Sequence, residues 1–241
     1  MRYKNVTIIG TSHIAEQSLR EIKEAVERLN PKIIAVELDK RRLYSLLNEE
    51  KRGFRISDIK YIGFTGFLFG IIGSYIQKKL GESVGITAGS DLLSAVKVAK
   101  EKKIKLGLID QDILITLNKL SKEFTLKEKF RIFLDFLEGM FFKKKVLKEY
   151  GLENFDLKKV PSEEFIIKAM KIIKKRFPSL YRVLVEERNI IMSQNIKRLI
   201  SENPEQPIIV VVGAGHKEGI FRLLNKPDLS YSFEIRYNKD L

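Results

Sequence analysis

Residues 208–216 read IIVVVGAGH, an uninterrupted apolar run followed by a glycine-rich turn and a histidine. A run that is apolar at every position, rather than at alternate positions, is typical of a strand buried on both faces of a parallel sheet. Three earlier runs have the same character, at residues 6–9, 33–36 and 106–109. Together the four runs indicate a parallel sheet at the buried centre of the protein.

Amphipathic segments separate these runs. Residues 14–29 carry apolar side chains at helical spacing and end at Asn30-Pro31, because proline cannot continue a helix. Residues 92–102 repeat the pattern before the third run, with Ser90-Asp91 as the expected N-cap. Parallel strands require helical crossovers of this kind. The sequence therefore predicts the α/β class, a mostly parallel central sheet flanked by helices, with a final edge strand at 231–237.

The length of 241 residues is enough for one large domain with an insertion, and we expect a single α/β domain over 1–241. Residues 113–200 are expected to form a large helical insertion, in which 163–176 and 180–200 are helices. An excess of lysine and arginine makes this insertion basic. An apolar stripe within it predicts core packing and comprises Phe130, Phe133, Leu134, Leu137 and Phe141.

The composition excludes several classes of site. The chain has no cysteine, so disulfides, thiolate zinc sites and cysteine nucleophiles are ruled out. Its net charge of +14 favours an anionic partner or serves solubility. We do not expect nucleic acid to be that partner, because the sequence has no recognisable nucleic-acid-binding motif. No secretory signal precedes the first strand, so we expect a cytoplasmic location, with peripheral membrane attachment as the alternative.

Residues 61–77 carry no charged side chain and read YIGFTGFLFGIIGSYIQ. A helix of this length measures about 25 Å, which is short of the hydrocarbon core of about 30 Å, and no clear transmembrane span is predicted. Gly66 and Gly70 form a small-xxx-small pair that allows two helices to approach closely. Three interpretations stay open for this apolar, glycine-rich helix: a buried or dimer-forming helix, a membrane-contacting segment and a flexible loop.

Polar side chains follow each of the four predicted strands. The first strand leads into Gly10-Thr11-Ser12-His13 and the fourth into Gly213-Ala214-Gly215-His216, so the only two histidines of the chain occupy equivalent places. The second strand ends in Glu37 and the third in Asp110. Ligands of open α/β sheets bind outside the carboxyl ends of the strands. We therefore expect these four side chains to meet at one edge, with the glycines forming turns that a Cβ would obstruct.

Imidazole and carboxylate groups are the usual ligands of zinc, manganese, cobalt and ferrous iron. Two histidines and one carboxylate with an open position are typical of a hydrolytic or oxidative metal centre, in which the metal lowers the pKa of bound water. The remaining carboxylate could then act as a general base. For the turn before His216, anion binding by backbone N–H groups is the alternative. Glu186-Glu187-Arg188-Asn189 predicts either an arginine that binds an anion or a surface ion-pair network.

These residues resemble the TraB family, which groups the bacterial TraB/PrgY pheromone-shutdown proteins with archaeal and eukaryotic relatives. Through its paired Gly-x-x-His motifs that family is similar to the Tiki proteases and to the erythromycin esterase/ChaN-like group. The resemblance covers nearly the whole chain. The motifs that carry it are Gly10-Thr11-Ser12-His13, Val36-Glu37-Leu38-Asp39 with Arg42, Leu108-Ile109-Asp110-Gln111-Asp112-Ile113, Glu186-Glu187-Arg188-Asn189 and Val211-Val212-Gly213-Ala214-Gly215-His216.

The resemblance implies an α/β domain with a helical insertion and a peptidase that depends on a divalent metal ion, namely manganese, cobalt or zinc. The positions that match the family's metal and catalytic motifs are His13, Glu37 and His216. Further positions match the family with less defined roles. We expect a general base or supporting carboxylate at Asp110 or Glu187, and a pair of cations for a substrate carboxylate or an oxyanion at Arg42 and Arg188.

We therefore expect a divalent-metal-dependent hydrolase that acts on a peptide or protein substrate. The alternative is a non-enzymatic protein that sequesters a peptide or docks at a membrane. We also expect a homodimer, with 61–77 as the candidate interface, and contact with an anionic membrane as the other use of that segment.

Overall fold

A five-stranded sheet forms the centre of the computed structural model, which describes residues 1–11, 15–48, 54–84, 89–141 and 163–226. Its strands are β1 (Arg2–Tyr3), β2 (Val6–Thr11), β3 (Ile33–Val36), β4 (Lys105–Leu108) and β5 (Ile208–Gly213). Their order across the sheet is β1-β2-β5-β3-β4, and every neighbouring pair is parallel except β1 with β2. The predicted α/β class and mostly parallel sheet are confirmed. The sequence patterns missed the short strand β1, and the expected strand at 231–237 lies outside the described residues.

Helices flank the sheet and extend beyond it. Their bounds are α1 (Ala15–Leu29), α2 (Lys40–Leu47), α3 (Ile59–Val84), α4 (Ser90–Glu101), α5 (Ile113–Glu123), α6 (Leu126–Phe141), α7 (Glu163–Arg176), α8 (Pro178–Tyr181), α9 (Glu187–Glu202) and α10 (Ala214–Leu224). A 3₁₀ turn, Ile56–Asp58, leads into α3, and a π-helix, Arg182–Glu186, joins α8 to α9.

The alternating side chains of the strands bury two apolar layers. On one face β5 packs through Ile208, Val210 and Val212 against α9 and α10, where Met192 and Ile220 are fully buried. The other face packs against α1 and α4 through a second cluster that includes Ile34, Val36, Ile209, Val211, Ile22, Ala95 and Val98. Because α9 covers the sheet, the last part of the expected 113–200 insertion belongs to the central core.

The remaining helices surround a smaller apolar cluster beside the sheet. Its buried centre consists of Leu120 of α5, Phe124 directly after α5, and Val183 of the π-helix. The stripe predicted on α6 departs from expectation, because Phe130 and Leu134 are exposed rather than packed in the core. The burial of the other three stripe side chains, Phe133, Leu137 and Phe141, lies outside what the structure describes.

The apolar helix α3 is kinked at Gly63, where φ is 69° and ψ is 165°. Gly66 and Gly70 of this helix pack closely against other parts of the same chain. A Cβ at Gly66 would collide with the carbonyl oxygen of Leu117 in α5, and one at Gly70 would collide with the ring of Phe54. Gly66 thus makes the close helix contact expected from the glycine pair, with α5, whereas Gly70 packs against Phe54. By length and composition the segment Ile56–Tyr75 could cross a membrane, and 17% of it is buried inside the protein.

Two local expectations about turns are wrong. The N-cap of α4 is Gly89 rather than Ser90 or Asp91, both of which lie inside the helix, and Gly89 has a left-handed φ of 83°. Gly213 has an ordinary φ of −60°, and a Cβ there would make a normal contact with Glu37 Oε2 at 3.4 Å. The turn after β5 therefore does not require a glycine at position 213, whereas at Gly215 a Cβ would lie 2.9 Å from Met170 Cε, as expected for a turn that a Cβ obstructs.

Candidate functional site

The carboxyl ends of four strands meet at one edge of the sheet. In the parallel register Thr11 lies beside Gly213, and Val36 lies between Val211 and Leu108. The residues that follow these strands start from the same edge, as the sequence predicts. Ser12-His13-Ile14 lies outside the described residues, and the described part of the site comes from the ends of the other three strands.

Each strand end delivers one polar side chain. Glu37 follows β3 directly, and its Oε2 accepts a hydrogen bond of 2.7 Å from the backbone N–H of Gly213. Asp110 lies two residues after the end of β4, and its backbone N–H bonds the carbonyl of Leu38. His216 lies in the first turn of α10 and is buried. Glu37, Asp110 and His216 lie close together in the structure, as the sequence predicts.

Arg188 of α9 lies at the centre of this group. Its Nε and Nη2 donate to the two oxygens of Asp110 at 3.1 and 2.6 Å, which is the bidentate geometry that a guanidinium makes with a carboxylate. Nη2 also donates to Glu37 Oε1 at 2.5 Å, and Nη1 lies 3.2 Å from His216 Nε2. One guanidinium therefore connects the carboxyl ends of β3, β4 and β5.

Two features position the Arg188 side chain at the edge of the sheet. The π-helix Arg182–Glu186 ends immediately before α9. The extra residue of a π-turn rotates all following side chains by roughly 100° relative to an uninterrupted α-helix. Two turns after Arg188, the Asn195 side chain donates to the carbonyl of Ile109 at 2.8 Å, which attaches α9 to the end of β4.

Asn189 determines the tautomer of His216. The Nδ1 atom of His216 lies 2.7 Å from Asn189 Oδ1, an acceptor, so Nδ1 carries the ring proton. Nε2 then presents a lone pair toward Arg188 Nη1 and lies 3.4 Å from Glu37 Oε1. A histidine whose second nitrogen is held by an amide or carbonyl oxygen has the orientation found at metal sites.

Burial and charge act against each other in this cluster. Burial raises the pKa of Glu37, but a protonated His216, Arg188, Arg42 and the Gly213 N–H outweigh it and lower that pKa from 4.5 to about 2. Burial lowers the pKa of His216, and although Glu37 opposes this, the net shift is downward. Burial also lowers the pKa of Arg188, but Glu37 and Asp110 raise it above its ordinary value. At neutral pH the site thus combines charged Glu37 and Arg188 with neutral His216.

The other predicted site residues lie at different distances from this cluster. Arg42 of α2 approaches Asp110 Oδ2 at 3.8 Å and is the more exposed of the two arginines. Glu187 instead pairs with Lys119 of α5 at 3.0 Å. The structure thus brings together Glu37, Arg42, Asp110, Arg188 and His216. The assignment of Glu187 as a general base stays a prediction.

Sequence reasoning gave no role in the site to two residues that support it, Asn189 and Asp91, of which Asp91 was expected only at a helix N-cap. Asn189 was part of a recognised motif, and its place next to Arg188 is the signal that could have singled it out. Asp91 is buried at the start of α4 and accepts a 2.5 Å hydrogen bond from Thr11 Oγ1. This bond joins α4 to the last residue of β2, where the first Gly-x-x-His segment leaves the sheet.

The donor atoms of Glu37 and His216 suit a divalent cation in kind and in separation. Atoms bonded at about 2.1 Å to a tetrahedral metal ion lie about 3.4 Å apart, and Glu37 Oε1 and His216 Nε2 have this separation of 3.4 Å. Within the described part of the chain, no three His, Asp or Glu side chains form a group that could hold a metal ion. A complete set therefore needs a ligand from outside those residues, and His13 is the predicted one.

We expect the protein to lose stability as the pH falls below 4.5. In that range the unfolded chain protonates Glu37, whereas the folded protein keeps it charged down to about pH 2. The unfolded state therefore binds more protons, and about 3 kcal/mol of the free energy of unfolding is lost between these values. Urea denaturation at a series of pH values measures this. In Glu37→Gln the loss should be smaller by that amount, and an identical pH dependence in both proteins would contradict the assignment.

The fold and the site define a class: a doubly wound α/β protein with a buried cluster of acidic, arginine and histidine side chains at the carboxyl edge of its sheet. The sequence pattern of the TraB/PrgY/gumN family matches residues 2–230. The chain belongs to the TraB/PrgY/gumN family, as its motifs predicted.

Its relatives include archaeal and mammalian proteins. An uncharacterized protein of Methanocaldococcus jannaschii is 39% identical over 223 residues, which is 92% of this chain and 54% of that protein. The TraB domain-containing proteins of Bos taurus and Homo sapiens are each 21% identical, over 89% of this chain and 61% of their own length. The chain thus spans between half and two thirds of the length of these relatives.

Proposed function

We propose that this protein is a divalent-metal-dependent hydrolase that acts on peptide or protein substrates. One observation carries the proposal: Glu37 Oε1 and the unprotonated Nε2 of His216 lie 3.4 Å apart at the carboxyl edge of the sheet. The ring orientation is held by Asn189, which leaves the Nε2 lone pair available to a cation.

In this proposal His13, Glu37 and His216 hold the ion, which is manganese, cobalt or zinc. A bound divalent cation lowers the pKa of water toward neutrality and polarises a carbonyl group. In the structure Arg188 donates to both Glu37 and His216. Binding of an ion by these two side chains would replace both hydrogen bonds. The two bonds from Arg188 to Asp110 do not use Glu37 Oε1 or His216 Nε2 and would keep the guanidinium in place.

The chain's own residues then have distinct tasks. Asp110 positions Arg188, because both of its carboxylate oxygens accept hydrogen bonds from that side chain. Arg188 stabilises negative charge that develops on the substrate carbonyl oxygen. Arg42, with a side chain that is 32% exposed, binds a substrate carboxylate at the entrance to the site. The choice of a peptide as substrate rests on the resemblance of the paired Gly-x-x-His motifs to the Tiki proteases.

A second candidate is a binding protein without enzymatic activity. It is favoured by the contacts of Arg188, because the guanidinium already donates hydrogen bonds to Glu37 and Asp110 and lies against the lone pair of His216 Nε2. In a purely structural cluster these contacts would persist, and an acidic ligand would bind at the more exposed Arg42.

Metal content tests the proposal. We expect the purified protein, loaded in turn with manganese, cobalt and zinc, to retain close to one ion per chain for at least one of them. His13→Ala, His216→Ala and Glu37→Gln should each lose it. The matched control is Glu123→Gln, which removes a partly exposed carboxylate paired with Arg182, away from the cluster, and should leave the metal content unchanged. Circular dichroism of each variant verifies that the fold is kept.

Cleavage of a peptide library with the retained ion then separates the two candidates. The loaded protein should cleave peptides and His216→Ala should not. Retention of the ion without cleavage would support the binding protein. If none of the three ions is retained, or if the histidine variants retain as much as the control, the metal-dependent hydrolase is refuted.

A further inference from the structure

One side of α3 presents large apolar side chains to solvent. We call these residues the α3 face; they are Tyr61, Phe64, Leu68, Ile71, Ile72 and Tyr75. Their exposures lie between 43% and 69%. From Phe64 to Tyr75 the spacing of four, three, one and three residues follows the helical repeat, so these five side chains form one continuous stripe, and Tyr61 precedes it on the other side of the kink at Gly63. Contiguous exposed apolar stripes mark surfaces that bind a partner or a membrane.

The opposite side of α3 is attached to the protein. Ile62 is fully buried, and the ring of Phe69 packs edge-on against Phe124 with centroids 5.0 Å apart. The Asn118 side chain of α5 donates to the carbonyl of Tyr61. Together with the contact of Gly66 on Leu117, these interactions determine which side of the helix is exposed.

We propose that the α3 face docks on an anionic lipid bilayer, with the helix lying in the plane of the membrane interface. The regular part of this face, from Phe64 to Tyr75, rises about 17 Å, and although the whole segment Ile56–Tyr75 is long enough to cross a bilayer, the kink at Gly63 interrupts it. Crossing the bilayer would also pull α3 away from α5 or take Lys119 and Lys122 of α5 into lipid. A helix held on one side by protein and apolar on the other inserts as an interfacial, monotopic element.

The ends of the α3 face match the chemistry of a membrane interface. Tyrosines stand at both ends, Tyr61 and Tyr75, and tyrosine is enriched where the headgroups meet the hydrocarbon. Lys60 precedes the face, and Lys78-Lys79 follows it in the sequence. The net charge of +14 attracts an anionic surface, whereas it would repel a second copy of the same chain. Charge thus favours anionic lipid over self-association as the occupant of this face.

A single introduced tryptophan tests the proposal, because the natural chain has none. In Phe64→Trp we expect a blue shift of the emission when equimolar phosphatidylcholine and phosphatidylglycerol vesicles are added, and quenching when the lipids carry bromine. The matched control is Tyr44→Trp on α2, an exposed aromatic position outside the α3 face and outside the exposed side chains of α6, whose emission should not shift. In co-sedimentation, Phe64→Ser with Leu68→Ser should bind these vesicles about tenfold more weakly than the natural chain.

Each other outcome overturns the proposal. A shift that depends on protein concentration without lipid assigns the face to a second copy. Emission that is already blue-shifted at high dilution without lipid means that a segment of the chain itself covers it. Equal binding to vesicles of phosphatidylcholine alone refutes the anionic surface. None of these measurements uses catalytic activity or metal content, so the result is independent of the proposed hydrolase.

Discussion

Replacing Arg188 with alanine should lower the free energy of unfolding by about 3–5 kcal/mol. The Arg188 side chain is 14% exposed and bridges Glu37 and Asp110, whose side chains are 9% and 3% exposed. Without the guanidinium two carboxylates remain in a buried environment, and an unpaired buried charge is far more costly than a lost surface pair. Urea denaturation of the natural chain and of Arg188→Ala measures the difference.

The control for this prediction is an arginine in an exposed pair. Arg182→Ala removes a bond of 2.5 Å to Glu123, but the two side chains are 53% and 33% exposed, so the loss should stay below about 1 kcal/mol. Arg188→Lys should fall between the two variants, because lysine keeps the charge and cannot make the bidentate contact with Asp110. Equal losses for Arg188→Ala and Arg182→Ala would mean that the guanidinium does not hold the cluster together.

The second large effect is expected at the kink of α3. Gly63 has φ 69° and ψ 165°, a conformation that is essentially restricted to glycine. A Cβ there would also meet the Ser121 side chain of α5. Gly63→Ala should therefore lower the free energy of unfolding by about 2–3 kcal/mol, from backbone strain and overpacking together. Chemical denaturation of the variant measures this loss.

Gly73→Ala is the matched control within the same helix. Gly73 is exposed and helical, and no atom lies within 4 Å of a Cβ placed there. Because alanine has the higher helix propensity, this variant should be about 0.5–1 kcal/mol more stable than the natural chain. The same substitution should thus have opposite signs at two positions of one helix. Effects of the same sign would show that the kink at Gly63 does not demand glycine.

The sheet edge was predictable because strand direction is a local property. Continuous apolar runs identify buried parallel strands, and parallel strands necessarily end at a common edge. The meeting of Glu37, Asp110 and His216 follows from that argument without any knowledge of side-chain contacts. The importance of Arg188 did not follow, since an arginine on a long helix suits a surface network equally well.

By itself the sequence determined the parallel sheet, the crossover helices on its faces and the set of polar residues at its carboxyl edge. The tertiary structure decided that Arg188 lies at the centre of that set, because its direction depends on the π-helix before it and on the attachment of Asn195 to Ile109. It also decided which side of α3 is exposed. A run that is apolar on every side has no preferred buried face, so packing against α5 made that choice.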